Sequence, residues 1–80
     1  MFTVLLADDE IHILGLLEKL IDWESLQIKI IGKCQTGTET YEAIAACRPD
    51  IVVIDIKMPG MSGLEVVKRS QENGIFPNFI

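Results

Sequence analysis

Three aspartates stand where two apolar segments of the chain end. Asp8 and Asp9 directly follow the apolar run Phe2–Ala7, and Asp55 directly follows the run Ile51–Ile54. If both runs are buried parallel strands, their carboxyl ends lie at the sheet edge where open α/β folds bind their ligands. The sequence therefore predicts one acidic pocket built from two strand ends.

Carboxylates gathered in one pocket repel one another, and something positive must offset that repulsion. A donor set made of oxygen suits a hard divalent cation. Mg²⁺ is the expected cofactor because it accepts one or two carboxylates together with waters and a phosphate oxygen. Such a cation also neutralises a transferring phosphoryl group, while one carboxylate acts as the nucleophile and becomes an acyl phosphate. The three acids thus indicate metal-dependent phosphoryl chemistry.

Each acid also has a simpler structural interpretation. Asp8 and Asp9 would stabilise the start of a helix as capping groups, and Asp55 would only end a strand. The coincidence of all three at matching strand ends, with the loop Lys57–Gly60 beside them, favours the metal and phosphoryl site. His12 is interpreted as a solvated surface group.

The acids can meet only if the chain between them alternates between strands and helices. Apolar residues at helical spacing predict a first helix, capped by Asp9, that faces the sheet. These residues are Ile13, Leu14, Leu17, Leu20 and Ile21. A short β-branched strand follows over Ile28, Ile30 and Ile31 and is expected to end at Gly32.

Two capping boxes, Thr36–Glu39 and Ser62–Glu65, predict the starts of a second and a third helix. The second helix should run to about Cys47, and Gly74 suits the end of the third. Ile75 to Ile80 is then predicted to lead into a fourth strand. This alternation predicts an α/β fold of three layers, in which right-handed crossovers wind a parallel sheet. If the second and third strands pair on opposite sides of the first, the sheet is flavodoxin-like, and the first and third strands are neighbours.

Bulk composition limits the classes of function. A formal net charge of −5 over 80 residues argues against the basic surface that nucleic-acid binding needs, so no direct nucleic-acid contact is expected. The chain begins without a signal-peptide pattern and has no apolar stretch near the ~20 residues that span a bilayer, so we expect a cytoplasmic location and no membrane contact. Cys34 and Cys47 are interpreted as reduced, largely buried thiols.

Three segments of the chain resemble the receiver domain of two-component response regulators. They are Val4–Glu10, Arg48–Asp55 and Lys57–Glu65, which lie at the family's spacing and span most of the chain. The resemblance implies a phosphoacceptor in signal transduction that is not itself an enzyme. The segment around Trp23 also resembles receivers attached to AraC-type DNA-binding domains, which implies that the longer protein regulates transcription.

The resemblance further implies a role for each acid. Asp55 would accept a phosphoryl group from a phosphohistidine on a sensor histidine kinase, the expected partner. Asp8 and Asp9 would hold Mg²⁺ directly or through water. Asp55 would give a third ligand, and the backbone carbonyl of Lys57 another.

A complete receiver resembles this chain followed by a fourth strand ending in Ser or Thr, a fourth helix, a fifth strand with a Lys-Pro after it, and a last helix. We therefore expect residues 1–80 to form an incomplete receiver domain, truncated after the third helix and the start of the fourth strand. Phosphotransfer by this chain alone is expected to be impaired, and metal binding less so. The third strand would become an exposed apolar edge unless residues 78–80 pair with it, and the first helix would lose a covering neighbour, so a homo-oligomer or a segment swap is expected.

Two other functions share some of these features. A haloacid-dehalogenase-like phosphatase also uses a strand-end Asp nucleophile with Mg²⁺, although its Asp-x-Asp pattern differs from the adjacent Asp8 and Asp9. A plain interaction module would occupy a kinase without being phosphorylated. Turnover of p-nitrophenyl phosphate would indicate the phosphatase, and the absence of labelling by acetyl phosphate would indicate the interaction module.

Overall fold

Four parallel strands form one sheet in the order β2-β1-β3-β4, in a computed structural model that describes residues 1–80. The elements are β1 (Phe2–Ala7), α1 (Ile11–Leu20), β2 (Ile28–Cys34), α2 (Gly37–Cys47), β3 (Ile51–Ile54), α3 (Gly63–Glu72) and β4 (Asn78–Phe79). The second strand pairs on one side of the first, and the third pairs on the other side. The predicted flavodoxin-like topology, which makes the first and third strands neighbours, is confirmed.

Side chains alternate between the two faces of the sheet and build two cores of unequal size. Leu5 and Ala7 of β1 belong to a cluster of eight buried residues, which α2 and α3 complete with Ile44 and Val66. The other face carries a cluster of only three buried residues, which are Val4, Leu6 and Leu14. Two helices therefore cover one face, and α1 alone covers the other.

This asymmetry extends to β3, whose two faces are covered unequally. Val52 is fully buried in the larger cluster. Ile51 and Val53 pack against the smaller cluster and remain half-buried, because α1 is the only helix on that side. The fourth strand is confirmed, and its pairing with β3 makes β3 an interior strand.

The start of α1 differs from the predicted one. Glu10, and not Asp9, occupies the position before the helix, and no side chain caps it. The carboxylate of Asp8 instead accepts a hydrogen bond from the Glu10 N–H at 2.9 Å. The capping role given to Asp9 is therefore wrong, because the strand end holds the chain extended for one residue longer.

The predicted apolar stripe of α1 faces the sheet only in part. Leu14 is buried and Leu17 packs against the smaller cluster, whereas Leu20 is 77% exposed at the end of the helix. The Trp23 ring packs on the same cluster, and its indole N–H donates to the Leu17 carbonyl at 3.1 Å. The indole N–H of Trp23 is thus held by the end of α1.

Gly32 lies inside β2, which continues to Cys34, so the prediction that this glycine ends the strand is wrong. The register slips here, since Val4 pairs with Ile30 while Leu5 pairs with Gly32. A side chain at Gly32 would begin 3.0 Å from a methyl carbon of Leu5. The glycine therefore lets the strands stay close across the irregularity.

The two capping predictions hold for the hydroxyl groups. Thr36 Oγ1 accepts from the Glu39 N–H at 3.1 Å, and Ser62 Oγ accepts from the Glu65 N–H at 3.2 Å. Only the second box is reciprocal at the side chains, because Ser62 Oγ also donates to the Glu65 carboxylate at 3.3 Å. Gly74 has a φ of +73° just after α3, as its predicted place at the helix end requires.

Both cysteines are free thiols, and their exposure differs. Cys34 is buried, and this burial raises its pKa above that of an ordinary thiol. Cys47 is exposed at the end of α2, so the prediction that it is largely buried is wrong. None of the helices is both long and apolar enough to cross a bilayer.

Candidate metal centre

Backbone hydrogen bonds bring the ends of three strands to one level. Ala7 pairs with Ile54 in the parallel ladder, and the Asp55 N–H donates to the Ala7 carbonyl at 3.0 Å. On the other side, the Asp8 N–H donates to the Cys34 carbonyl at 3.0 Å. Asp8 and Asp55 are therefore the first residues past adjacent strands, both held by the backbone.

The predicted convergence of the three acids is confirmed as geometry. Asp8, Asp9 and Asp55 each offer one carboxylate oxygen, and these oxygens all lie within 4.8 Å of one another. Asp8 and Asp55 are half-buried, and Asp9 is exposed. The cluster is thus open to solvent on one side and bounded by the sheet edge on the other.

No basic side chain neutralises this cluster. The one ion pair in the structure, between Lys33 and Glu18, lies elsewhere, and Lys57 forms none with the acids. The Asp8 carboxylate accepts a single hydrogen bond, and no group of the chain donates to the carboxylates of Asp9 and Asp55. Three mutually repelling carboxylates with unused lone pairs suit a hard cation, so the residues present fit Mg²⁺.

The loop after Asp55, residues 56–62, is fixed at three points. Met58 is buried in the larger core. The Gly37 N–H at the start of α2 donates to the Pro59 carbonyl at 3.1 Å, and the Gly63 N–H donates to the Ile56 carbonyl at 2.7 Å. Lys57, whose backbone carbonyl the sequence predicts as a ligand, lies in this loop with an exposed side chain.

Two further residues were not recognised from the sequence as part of the site. Gly63 is so close to the strand end that a Cβ added there would meet the Asp55 carbonyl oxygen and lie 2.9 Å from Ile56 Cα. Gly37 approaches the Met61 carbonyl in the same way. The available signal was a glycine directly after the capping hydroxyl of each box, at Thr36 and Ser62.

Glu10 and His12 do not join the cluster. Glu10 contributes its backbone N–H to Asp8 and keeps its carboxylate exposed before α1. His12 is exposed on α1, as the sequence indicates. The arrangement therefore consists of three converging carboxylates, two of them half-buried, beside a tightly held loop.

Comparison with known proteins identifies this arrangement. The family model of the response regulator receiver domain matches residues 4–78. The uncharacterized transcriptional regulatory protein YesN of Bacillus subtilis is 52% identical over 69 residues, which are 86% of this chain and 19% of that protein. A protein-glutamate methylesterase/protein-glutamine glutaminase of Geobacillus kaustophilus is 38% identical over 66 residues, which are 82% of this chain and 19% of that protein.

A solved structure shows the same fold. The REC domain of AraT, a response regulator from Geobacillus stearothermophilus, is 32% identical with a TM-score of 0.87. The match covers 96% of this chain and 58% of that domain, so the chain spans little more than half of the solved receiver. Family model, sequence relatives and structure agree, and the chain belongs to the response regulator receiver domain family.

Proposed function

We propose that Asp55 of this receiver accepts a phosphoryl group from a phosphohistidine of a sensor histidine kinase, in a site that holds Mg²⁺. The observation that carries the proposal is the meeting of Asp8, Asp9 and Asp55 at one sheet edge, with no cation of the protein beside them. Asp55 directly follows β3, one of the two interior strands, and its carboxylate accepts no hydrogen bond within the chain.

The metal would be held by Asp8 and Asp9, directly or through water, by Asp55 and by the backbone carbonyl of Lys57. When bound, Mg²⁺ supplies positive charge that offsets the repulsion between the acids and the charge of a phosphoryl group. The hydrogen bond from Glu10 to Asp8 fixes the orientation of that carboxylate before any ligand binds. The bond from Asp55 N–H to Ala7 fixes the backbone that carries the nucleophile.

The transfer is a displacement at phosphorus. A carboxylate oxygen of Asp55 forms the new O–P bond while the N–P bond to the donor imidazole breaks, and the imidazole nitrogen leaves with the bonding electron pair and is protonated by water. The product is an acyl phosphate on Asp55 and a neutral histidine on the kinase. Because Asp55 is half-exposed, a bulky donor can approach it from the solvent side.

Phosphorylation by a small-molecule donor tests this proposal. The chain is incubated with acetyl phosphate and MgCl₂, and intact-mass spectrometry records whether one phosphate is added. Asp55→Asn should abolish labelling, whereas Asp50→Asn should keep it, because Asp50 lies at the opposite end of β3 and bonds Thr3. Equal labelling of the chain and of Asp55→Asn would refute the assignment of Asp55, and no labelling of either would refute phosphoacceptance by this chain.

The remaining parts of the proposal concern the longer protein. We propose that this chain is a regulatory module without substrate turnover, although relatives of the family include a methylesterase. No hydrolysis of p-nitrophenyl phosphate is expected, and multiple turnovers would contradict the proposal. The likeness to YesN supports a transcriptional regulator. We propose that this regulator acts in the cytoplasm and contacts DNA outside this acidic segment of net charge −5. A homo-oligomer or segment swap stays a prediction, and sedimentation of a stable monomer at high concentration would contradict it.

A further inference from the structure

We infer that Gly37, the first residue of α2, positions the loop of residues 56–62 and thereby sets the affinity of the acidic site for Mg²⁺, an inference that rests on the proposed metal site. Gly37 is buried and far from the acids in sequence, and its backbone N–H donates to the Pro59 carbonyl at 3.1 Å. Pro59 follows Lys57, the predicted carbonyl ligand, by two residues. The start of α2 thus holds the loop close to its functional position.

Close approach of two backbones explains the glycine. A Cβ on Gly37 would overlap the Met61 carbonyl group and lie 2.8 Å from Met61 Cβ. The carbonyl belongs to the backbone, so no side-chain rotation relieves the overlap, and the loop must shift. Gly60 adds a second contact at the same junction, since its φ is +78° and a Cβ there would lie 2.9 Å from Thr38 Oγ1.

The backbone conformation of Gly37 does not require a glycine. Gly60 and Gly74 are the glycines with a positive φ, and Gly37 is not one of them. At a helical position of ordinary φ, alanine is intrinsically the better helix residue. The chain forgoes that stabilisation where the loop touches the helix, which indicates that the contact itself is needed.

Titration with MgCl₂ of the ¹⁵N-labelled chain, followed by amide chemical shifts, tests the inference. Gly37→Ala should weaken Mg²⁺ binding by roughly 10- to 100-fold, the range typical for losing a group that orients a metal ligand. Gly15→Ala is the matched control, because a Cβ at that helical glycine meets nothing within 4 Å, and its Mg²⁺ affinity should equal that of the unchanged chain. Unchanged affinity in folded Gly37→Ala would overturn the inference.

A second control separates positioning from mere loss of stability. Val4→Ala in the smaller core should lower the midpoint of urea denaturation without touching the loop, because no residue of the loop belongs to that core, and it should bind Mg²⁺ normally while folded. If Gly37 had only a structural role, Gly37→Ala would likewise lose stability and keep its Mg²⁺ affinity while folded. Affinity lost in Gly37→Ala and kept in Val4→Ala supports positioning.

Hydrogen exchange in the unchanged chain gives a readout if Gly37→Ala does not fold. Coupling between two sites is reciprocal, so Mg²⁺ should slow exchange of the Gly37 amide, which bonds Pro59 in the loop. The Glu39 amide bonds Thr36 within the same helix start and should slow less. Equal slowing of both amides would overturn the inference.

Failure of the metal site itself is distinguishable from failure of the positioning contact. If the unchanged chain shows no saturable response to Mg²⁺, the proposed metal site is wrong. The contact between Gly37 and the loop is then tested with spectra recorded without metal. Gly37→Ala must then move the amide resonances of residues 56–62 further than Gly15→Ala does. Resonances of the loop that stay in place would overturn the contact as well.

Discussion

Replacing Asp55 by Asn should stabilise the metal-free chain, because it removes one of three clustered negative charges without changing the shape of the side chain. Asp55 faces two other carboxylates, Asp8 and Asp9, within 4.8 Å. Two unit charges at that distance repel by about 0.9 kcal/mol at the dielectric constant of water, and salt reduces this value. Removing two such pairs should therefore raise the free energy of unfolding by about 1–2 kcal/mol at low ionic strength.

Urea denaturation in EDTA measures this difference. Trp23 is a suitable fluorescent probe, because it packs on the core beside α1 and is not one of the clustered acids. The stabilisation should shrink as NaCl is added, and it should shrink or reverse in MgCl₂, because only the unchanged chain keeps all three proposed carboxylate ligands. In a domain this small, each kcal/mol of stabilisation should raise Tm by roughly 4–8 °C.

Asp50→Asn is the matched control for the same chemical change. The Asp50 carboxylate accepts hydrogen bonds from the Thr3 N–H at 2.8 Å and from the Thr3 hydroxyl at 3.1 Å, so its charge stabilises the fold. The two Asp→Asn substitutions should therefore change stability in opposite directions. If metal-free Asp55→Asn is no more stable than the unchanged chain at low salt, the acids are not repelling one another as the geometry requires.

Three further outcomes are expected. Ile44→Ala should cost about 2–5 kcal/mol in a core this small, so loss of the cooperative far-UV circular dichroism transition is expected, and a stable variant would contradict it. Thr36→Ala and Ser62→Ala should each lower the free energy of unfolding by about 1 kcal/mol through lost caps, measured by urea denaturation, and an unchanged midpoint would argue against the capping bonds. Iodoacetamide at mildly alkaline pH should label exposed Cys47 first, because burial keeps the pKa of Cys34 raised and its thiol protonated until the pH rises further, and equal labelling rates would contradict this difference.

The topology and the meeting of the acids could be predicted because they follow from patterns that repeat along the chain. Apolar runs alternate with helical periodicity, and parallel strands with helical crossovers leave few possible orders. Once β1 and β3 are neighbours, the residues that follow them must share one edge, which places Asp8 beside Asp55. The hydroxyl caps at Thr36 and Ser62 were predictable because their partners lie only three residues away.

The predictions that were wrong depend on contacts between residues distant in sequence, or on which of two adjacent residues takes a role. Asp8 and Asp9 are both able to cap a helix. Because the backbone stays extended through Glu10, neither caps α1, and the Asp8 carboxylate accepts the Glu10 N–H instead. A glycine at position 32 is typical of a strand end, but Gly32 pairs with Leu5 and β2 continues past it. Cys47 sits on an amphipathic helix whose exposed side is set by α3 packing, which no local pattern reveals.

The close approaches of Gly37 and Gly63 have the same origin. In sequence each glycine is an unfavourable helix residue, which costs up to about 1 kcal/mol relative to alanine. Only the folded chain shows that Gly37 meets the carbonyl of Met61 and that Gly63 meets the carbonyl of Asp55. The Gly37 contact ends on the loop of residues 56–62, and the Gly63 contact ends on Asp55 itself, so the weak helix starts and the acidic edge are parts of one arrangement.

Repulsion among the acids and cation binding therefore affect the same free energy of unfolding. Repulsion of Asp55 by Asp8 and Asp9 alone should destabilise the metal-free chain by about 1–2 kcal/mol, a large share of the stability that so small a core can provide. A ligand that binds only the folded state at a hundred times its Kd returns about 2.7 kcal/mol. Under the proposed function, Mg²⁺ would offset the whole cost of gathering Asp8, Asp9 and Asp55, and the stability of this receiver would rise and fall with the concentration of the cation.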